Sequence, residues 1–481
     1  MDITAAELIA EIEASPDGPG VGAFFDLDGT IVQGYTATTL YADRLRRGDV
    51  GPLEFAKTLV AAVDGSVLGG DPQIMGEVSF AGLKGRTVDE VAEFGQRVFT
   101  TKIAGTIRPE ARDIVRAHLR KGHTIAVASS ATRMQIEPVA NDLGIPHVIC
   151  TELEDEDGVL TGKTTTGMLW GENKAGGVRA FAKKHKVDLA SSFAYGNGQE
   201  DIAFLATVGR PHPLNPHPVL RKAAELAHWP VVVLRDPASA GLRSYAGTLA
   251  AMGGINLGLG VGAAVGVLRR SRQEGMNAGV ALASKLGFGL AGVELNIQGE
   301  ENLLAARPAV FIGNHQSSLD PLVAGALLER DFTAVAKAEA KRDPRMFLMN
   351  LILNPAFIDR GDNAKAVATL AQVTERIRSG TSLLIFPEGT RSSTQRLGRF
   401  KKGAFHMAME AGVPIVPIVF RNTGDLMWRR SLVINPGTVD VVVLEPIPTD
   451  TWTKDTLDQH IAEVRQLFVD TLDNWPTKEN A

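Results

Sequence analysis

Short apolar, β-branched runs that stop at polar motifs recur along the chain, each followed by a stretch with helix-like character. In the first half the runs are Val21 to Phe25, Thr124 to Ala128 and Phe193 to Tyr195; in the second they are Ala309 to Ile312, Ser382 to Phe386 and Ile415 to Phe420. This alternation predicts α/β layers. The two halves share no repeat, and their motifs differ in chemistry and order, so two unlike domains are expected. Between them, Ala246 to Leu268 holds no charged residue in 23 positions and is long enough to cross a bilayer. Seven glycines and Asn256 weaken it as a simple span. Arg269, Arg270 and Arg272 follow, then a second apolar stretch, Met276 to Leu295, interrupted by Lys285. The pair reads as a helical hairpin at a membrane interface beside an arginine turn suited to anionic headgroups. A buried helix pair packed through glycines is the alternative.

A length of 481 residues suits two or three domains, and 44% hydrophobic against 22% charged residues supports packed cores. The balance of 50 basic and 55 acidic residues gives a net charge of -5, and nothing global points to nucleic acid. The single cysteine, Cys150, excludes a disulfide framework and reads as a buried thiol in a reducing compartment. The first basic residue is Arg44, so no positively charged leader opens the sequence, and the expected location is the cytoplasmic face of the cell membrane.

The run ending at Phe25 leads into Asp26-Leu27-Asp28-Gly29-Thr30, two carboxylates two residues apart at the carboxyl end of a predicted strand. A carboxylate can attack a phosphate monoester brought to it by a cation, and a second can protonate the leaving oxygen and then activate water. Here the sequence resembles the haloacid dehalogenase superfamily, in particular its phosphoserine-phosphatase-like branch. Ser129, closing Ile-Ala-Val-Ala-Ser, resembles the second motif, whose hydroxyl binds the phosphoryl group, and Lys174 resembles the charge-neutralising lysine of the third. Tyr195-Gly196-Asn197-Gly198-Gln199-Glu200-Asp201 resembles the fourth, where two acids normally hold magnesium. The resemblance implies Asp26 as nucleophile, Asp28 as acid and base, and Mg2+ held by Asp26, Asp28, Asn197 and Asp201. Asn197 departs from the pattern: its amide oxygen can ligate Mg2+ but supplies no charge. The 102 residues between Asp26 and Ser129 leave room for a helical cap at about 33–107. The acidic run Glu152 to Asp157 reads as a solvated turn.

In the second half, Ala309 to Ile312 leads to Asn314-His315-Gln316-Ser317-Ser318-Leu319-Asp320. A histidine can take a proton from an alcohol, and a carboxylate on its other nitrogen fixes the tautomer. No Gly-x-Ser-x-Gly elbow accompanies it, which favours direct attack by a bound alcohol. Phe357-Ile358-Asp359-Arg360 and Phe386-Pro387-Glu388-Gly389-Thr390-Arg391-Ser392 each add an arginine suited to phosphate, and Val413 to Pro417 reads as a buried strand. In this order the blocks resemble the glycerophospholipid acyltransferases, most closely the 1-acylglycerol-3-phosphate acyltransferases. The resemblance implies that His315, oriented by Asp320, deprotonates a glycerol hydroxyl that attacks an acyl thioester. Arg360, Glu388, Gly389 and Arg391 would bind the acceptor's glycerol phosphate. Lys401 and Lys402 follow the third block, where either one assists with phosphate or both form a solvated face.

The expected architecture is a Rossmann-like haloacid dehalogenase domain with a helical cap (1–236), a linker and membrane-associated helical hairpin (237–294), and a second α/β acyltransferase domain (295–481). The implied partners are acyl-CoA or acyl carrier protein, lysophosphatidate and membrane lipids, with no nucleic acid. Three alternatives stay open for the first domain or the acceptor: a regulatory phosphate-binding module weakened by Asn197, a phosphoserine-type phosphatase, and an acceptor such as glycerol 3-phosphate.

Overall fold

The computed structural model describes residues 2–67, 72–338, 341, 355–358, 363–392, 394–429 and 431–476. The chain forms two compact units, Met1–Pro237 and Ala238–Ala481.

The first unit contains strands β1 (Asp2–Ile3), β2 (Val21–Phe25), β3 (Thr124–Thr132), β4 (His147–Thr151), β5 (Leu153–Glu156), β6 (Val159–Thr164), β7 (Asp188–Gly196), β8 (Arg210–Pro213) and β9 (Val231–Val232). Its main sheet is parallel, in the order β4-β3-β2-β7-β8, so the loops after β2, β3 and β7 open on one edge. All five residues of β2 are buried, as a strand covered on both faces requires. Helices α1 (Ala5–Glu13), α6 (Pro109–Arg120), α7 (Arg133–Leu143), α8 (Glu172–His185), α9 (Ile202–Leu205) and α10 (Pro218–Leu226) accompany this sheet, and α2 (Thr36–Arg47), α3 (Pro52–Val67), α4 (Pro72–Ala81) and α5 (Val88–Val98) form the insertion between β2 and β3. The acidic run is not a plain turn. Leu153–Glu156 is a strand paired antiparallel with β6, and only Asp157 and Gly158, both at positive φ, make the turn. Cys150 is buried in β4, and burial pushes its thiol up to about 12.

A chain of rings lies within the first unit. The Tyr195 hydroxyl donates to His118 Nε2 (2.7 Å), His118 Nδ1 donates to His123 Nδ1 (2.8 Å), and His123 Nε2 donates to the Pro16 carbonyl (2.9 Å). Starting from the carbonyl, which only accepts, a single set of neutral tautomers satisfies every link. Burial holds His118 well below the ordinary histidine range and lowers His123 as well.

In the second unit, helices α11 (Leu242–Leu268) and α12 (Arg272–Ala291) form an antiparallel hairpin joined at Arg269–Ser271. The glycines set its spacing: a methyl group on Gly262 would come within 2.4 Å of Gly279 Cα, and one on Gly258 within 2.4 Å of Ala283 N. Only glycine permits so close an approach of two backbones. Strands β10 (Val293–Gln298), β11 (Val310–Gly313), β12 (Phe332–Lys337), β13 (Ala356–Ile358), β14 (Ser382–Ile385), β15 (Ile415–Phe420) and β16 (Gly437–Val443) form one sheet in the order β10-β16-β15-β11-β14-β12-β13. All neighbours are parallel except β15 and β16. Alternate residues of β11 feed different cores. Phe311 joins the cluster that includes Ala251, Leu259, Met276 and Val280 of the hairpin, whereas Val310 and Ile312 join one built on Phe405, Val464 and Phe468. Helices α13 (Asn302–Ala305), α14 (Asp320–Leu328), α15 (Asn363–Arg378), α16 (Gly403–Ala411), α17 (Thr423–Leu426) and α18 (Leu457–Asp473) complete the unit. The hairpin is therefore half core. Leu249, Leu257 and Leu268 on α11 stay exposed, and only 28% of its most apolar window is buried.

Candidate active sites

In the first unit the buried β2 delivers Asp26 to the sheet edge, where its backbone N–H donates to the Tyr195 carbonyl on β7 (2.8 Å). Lys174, near the start of α8 and buried, donates to Asp26 Oδ1 and to Asp201 Oδ1, each at 2.7 Å. The other oxygen of Asp201 accepts from the Asn197 and Gly198 amides (3.0 and 3.1 Å). The Thr30 hydroxyl lies against Asp26 Oδ2 (3.3 Å) and Asn197 Oδ1 (3.2 Å). Gly29 has φ +79°, and a Cβ there would sit 2.2 Å from Asn197 Nδ2, so both backbone and space require glycine. Asp28 turns toward the insertion: Oδ1 accepts from the Thr36 amide (2.8 Å) and Oδ2 from its hydroxyl (3.1 Å). Gln135 supports the same hydroxyl from α7 (3.0 Å). Ser129 is buried in β3, two residues beyond Val127, the partner of Phe25; its hydroxyl accepts from the Ala131 amide (3.3 Å).

The electrostatics are uneven. Burial raises Asp26 strongly, with the Lys174 ammonium pulling it partly back. Burial also pushes Asp28 up to about 6, against the opposing hydrogen bonds from Thr36. Lys174 is driven upward, because attraction from Asp201 and Asp26 exceeds the burial penalty that opposes it. Burial, then Asp201, raises Glu200 as well. One ammonium thus faces several carboxyls, an excess of negative charge that suits a hard cation. Asp26 Oδ2 and Asn197 Oδ1 share a single hydroxyl proton and keep acceptor capacity, whereas the oxygens of Asp28 and Asp201 are already engaged. Among the described residues no group of three or more His, Cys, Asp or Glu forms a cage for a metal. Asp26, Asn197, Asp201 and Lys174 are thus brought together, with Asp28 and Ser129 at the edges. Thr30 closes the Asp26-Leu27-Asp28-Gly29-Thr30 motif, whereas Thr36 and Gln135 lie outside every motif.

In the second unit, β11 ends at Gly313 and the chain turns through His315 into α14, whose first residue is Asp320. His315 Nδ1 donates to Asp320 Oδ2 at 2.8 Å, which leaves Nε2 as the acceptor. Asp320 is fully buried and accepts further bonds from the Gln316 and Ser317 amides (2.7 and 2.8 Å) and from the Thr423 hydroxyl. Phe386 stacks on the imidazole, with ring centres 4.4 Å apart. Asn314 locks the turn to β15: its amide donates to the Phe420 carbonyl (2.8 Å) and its oxygen accepts from the Phe420 amide (2.7 Å).

Glu388 holds the same turn from another side. Its Oε1 accepts from the His315 amide (2.6 Å) and its Oε2 from the Gly398 amide (2.8 Å). Burial raises this carboxyl above its ordinary range. Arg391 donates to the Ser318 hydroxyl and to the Arg429 carbonyl (2.8 Å). Gly389 has φ +70°, and a Cβ there would lie 2.9 Å from Lys401 Nζ. Lys402 pairs instead with Asp458, both side chains largely exposed. Arg360 lies outside the described residues. His315, Asp320, Glu388, Gly389 and Arg391 therefore belong to one cluster, to which Thr423, Ser318 and Asn314 add contacts that their spacing did not disclose.

The profile of the haloacid dehalogenase-like hydrolases matches residues 23–206, and that of the acyltransferases matches residues 294–421. A 1-acyl-sn-glycerol-3-phosphate acyltransferase of Saccharomyces cerevisiae is 38% identical over 186 residues, covering 38% of this chain and 61% of its own length. An uncharacterised acyltransferase of Schizosaccharomyces pombe is 34% identical over 192 residues, covering 38% of this chain and 69% of its own. The chain thus spans about two thirds, or somewhat less, of these relatives. Among solved structures, the 1-acyl-sn-glycerophosphate acyltransferase of Thermotoga maritima aligns at 24% identity and a TM-score of 0.43, covering 49% of this chain and 99% of that one. The chain belongs to the acyltransferase family and carries, ahead of that domain, a haloacid dehalogenase-like hydrolase domain.

Proposed function

We propose that the second unit is a membrane-associated 1-acylglycerol-3-phosphate O-acyltransferase. The observation that carries this reading is the 2.8 Å hydrogen bond from His315 to the buried Asp320 in a chain of this family. With Nδ1–H committed to Asp320, His315 Nε2 takes the proton of the lysophosphatidate hydroxyl as its oxygen attacks the acyl thioester. A C–O bond forms, the C–S bond breaks, and the proton passes to the departing thiolate of coenzyme A or a carrier protein. The products are phosphatidate and a free thiol, and no metal is needed because the thioester is already activated. Arg391, Gly389 and Arg360 hold the acceptor phosphate. The exposed apolar side of α11, beside Arg269, Arg270 and Arg272, supports docking at a bilayer, and a cytoplasmic acyl donor puts the cleft on the cytoplasmic face.

For the first unit the reading is a phosphomonoesterase. Asp26 attacks phosphorus, the ester P–O bond breaks, and Asp28, raised to about 6, protonates the leaving oxygen. Asp28 then takes a proton from the water that hydrolyses the aspartyl phosphate. Lys174 and Ser129 bind the phosphoryl oxygens. Mg2+ fits beside Asp26 and Asn197, where it would offset phosphate charge. A second reading, a phosphate-binding regulatory module, is favoured by one observation: Asn197 stands where a charged ligand would, while Lys174 already holds Asp26.

A paired product assay tests both. Purified protein receives lysophosphatidate, palmitoyl-CoA and Mg2+, and phosphatidate, diacylglycerol and phosphate are followed for wild type, His315→Ala and Asp26→Asn. The expected result is a loss of phosphatidate of about 10³-fold in His315→Ala alone. Free phosphate should disappear only in Asp26→Asn. Phosphatidate formation that survives His315→Ala sinks the acyltransferase mechanism, and phosphate release that ignores Asp26→Asn sinks the phosphatase.

A further inference from the structure

Helix α3 of the insertion is amphipathic in the wrong sense for a helix lying on a protein core. At about 100° per residue, Phe55, Leu59, Ala56, Val60 and Leu53 share one arc of roughly 160°. That arc faces outward: Leu53, Phe55, Leu59 and Val60 are 70%, 44%, 55% and 69% exposed. The polar side is the one turned in. Glu54 makes a two-pronged pair with buried Arg44 of α2 (2.6 and 3.0 Å), and Arg44 also donates to the Gly82 carbonyl after α4 (3.0 Å). Such a helix exposes four large apolar side chains to water and turns Glu54 inward, an arrangement that costs free energy unless something apolar covers the outer face.

Charge and chain length say what covers it. The last turn of α2, which leads into α3, is basic. Arg46 is exposed, Arg47 shares the single carboxylate of Asp43 with Arg97, and exposed Asp49 leaves one guanidinium in excess. An apolar stripe preceded by an excess guanidinium is the composition of a helix lying in the headgroup layer of an anionic bilayer. The first unit ends at Pro237 and α11 begins at Leu242, so only residues 238–241 intervene. Four extended residues reach about 14 Å, so the end of the first unit is tethered within that distance of the start of α11.

We propose that the outer face of α3 docks on the phospholipid bilayer as a second membrane contact, separate from the α11–α12 hairpin; this rests on the membrane association proposed above. Docked in this way, the aspartate site samples phosphate monoesters carried by lipids in preference to those in bulk water.

The test uses the full-length chain carrying Phe55→Trp, bound to phosphatidylcholine–phosphatidylglycerol vesicles with brominated acyl chains. The added tryptophan emission should fall by about half or more, because an interfacial helix sits within reach of the chains. Adding Leu59→Glu should abolish that quenching, while flotation with the vesicles and acyl transfer stay at the level of the parent. Both positions are exposed, so an unchanged melting temperature is the control for folding. Flotation without quenching overturns the α3 contact and leaves the hairpin standing; absence of flotation overturns both. A dimer in vesicle-free solution that becomes a monomer on Leu59→Glu also overturns the proposal, because the face then belongs to a second copy.

Discussion

At the aspartate site one ammonium, Lys174, answers the carboxyls of Asp26 and Asp201 directly and of Asp28 at longer range, and burial leaves two of those acids raised. At the histidine site the accounts are closed within the chain: both oxygens of Asp320 and both of Glu388 have an N–H or O–H donor. A site whose carboxylates are committed to fixing an imidazole and its turn is already organised for proton transfer and needs only its substrates. A site left with surplus negative charge is organised for a cation and a phosphate that arrive together. The two halves of one chain therefore differ in what completes them.

The largest way to break this comparison is Asp320→Asn. An asparagine can keep an oxygen toward the donors on Gln316, Ser317 and His315, but it loses the negative charge that steadies the imidazolium. Acyl transfer should fall on the order of 10³-fold, with the acceptor KM little changed. A KM effect without a kcat effect would place Asp320 in binding rather than in orienting His315. A smaller effect is expected from Asn197→Asp, which adds the missing charge to the first site. Half-saturation by Mg2+ should drop about tenfold and phosphate release should rise. No response to the added carboxylate would favour the regulatory reading.

The smallest effect concerns the rings beneath the aspartate site. His118 is held well below its ordinary value by burial, so the unfolded chain binds the proton more readily than the folded one. Its contribution to stability is present above about pH 6.5 and is lost as pH falls below that value. Raised Asp26 and Asp28 act in the opposite sense, favouring the folded state on the acid side. A comparison with His118→Phe isolates the histidine. The variant should be less stable by about 1–3 kcal/mol at pH 7.5, having lost its bonds to Tyr195 and His123. The gap should narrow in melts at pH 5.5; a gap that widens on acidification would reverse the sign argued for His118.

Much of this was legible because strand ends in a parallel layer deliver their motifs to one edge. Asp26 stands far in sequence from Asn197 and Asp201 yet converges with them for that reason, and His315 and Asp320 meet across one strand-to-helix turn. The supporting hydroxyls were not legible. Thr423 reaches Asp320 from 103 residues away, and Thr36 meets Asp28 only because α2 begins beside it. Threonine has too many ordinary roles for position alone to single it out. The part of Glu388 was hidden for another reason: a glutamate in a glycine turn suggests a ligand contact, whereas its partners here are two backbone amides. The run Glu152 to Asp157 misled because its charges mask a two-stranded hairpin, paired through its backbone and anchored by Leu153 and Leu160 on the cluster of Leu83 and Val91.

The glycine contact between α11 and α12 has a consequence for handling the protein. At Gly258, Gly262 and Gly279 the helices meet through backbone, so closing the pair there freezes no rotamers. Packing of this kind depends little on whether water, detergent or lipid bathes the outside, because none of them enters the seam. The hairpin should keep one shape through extraction, storage and return to a bilayer, which makes it the natural fixed frame for attaching probes.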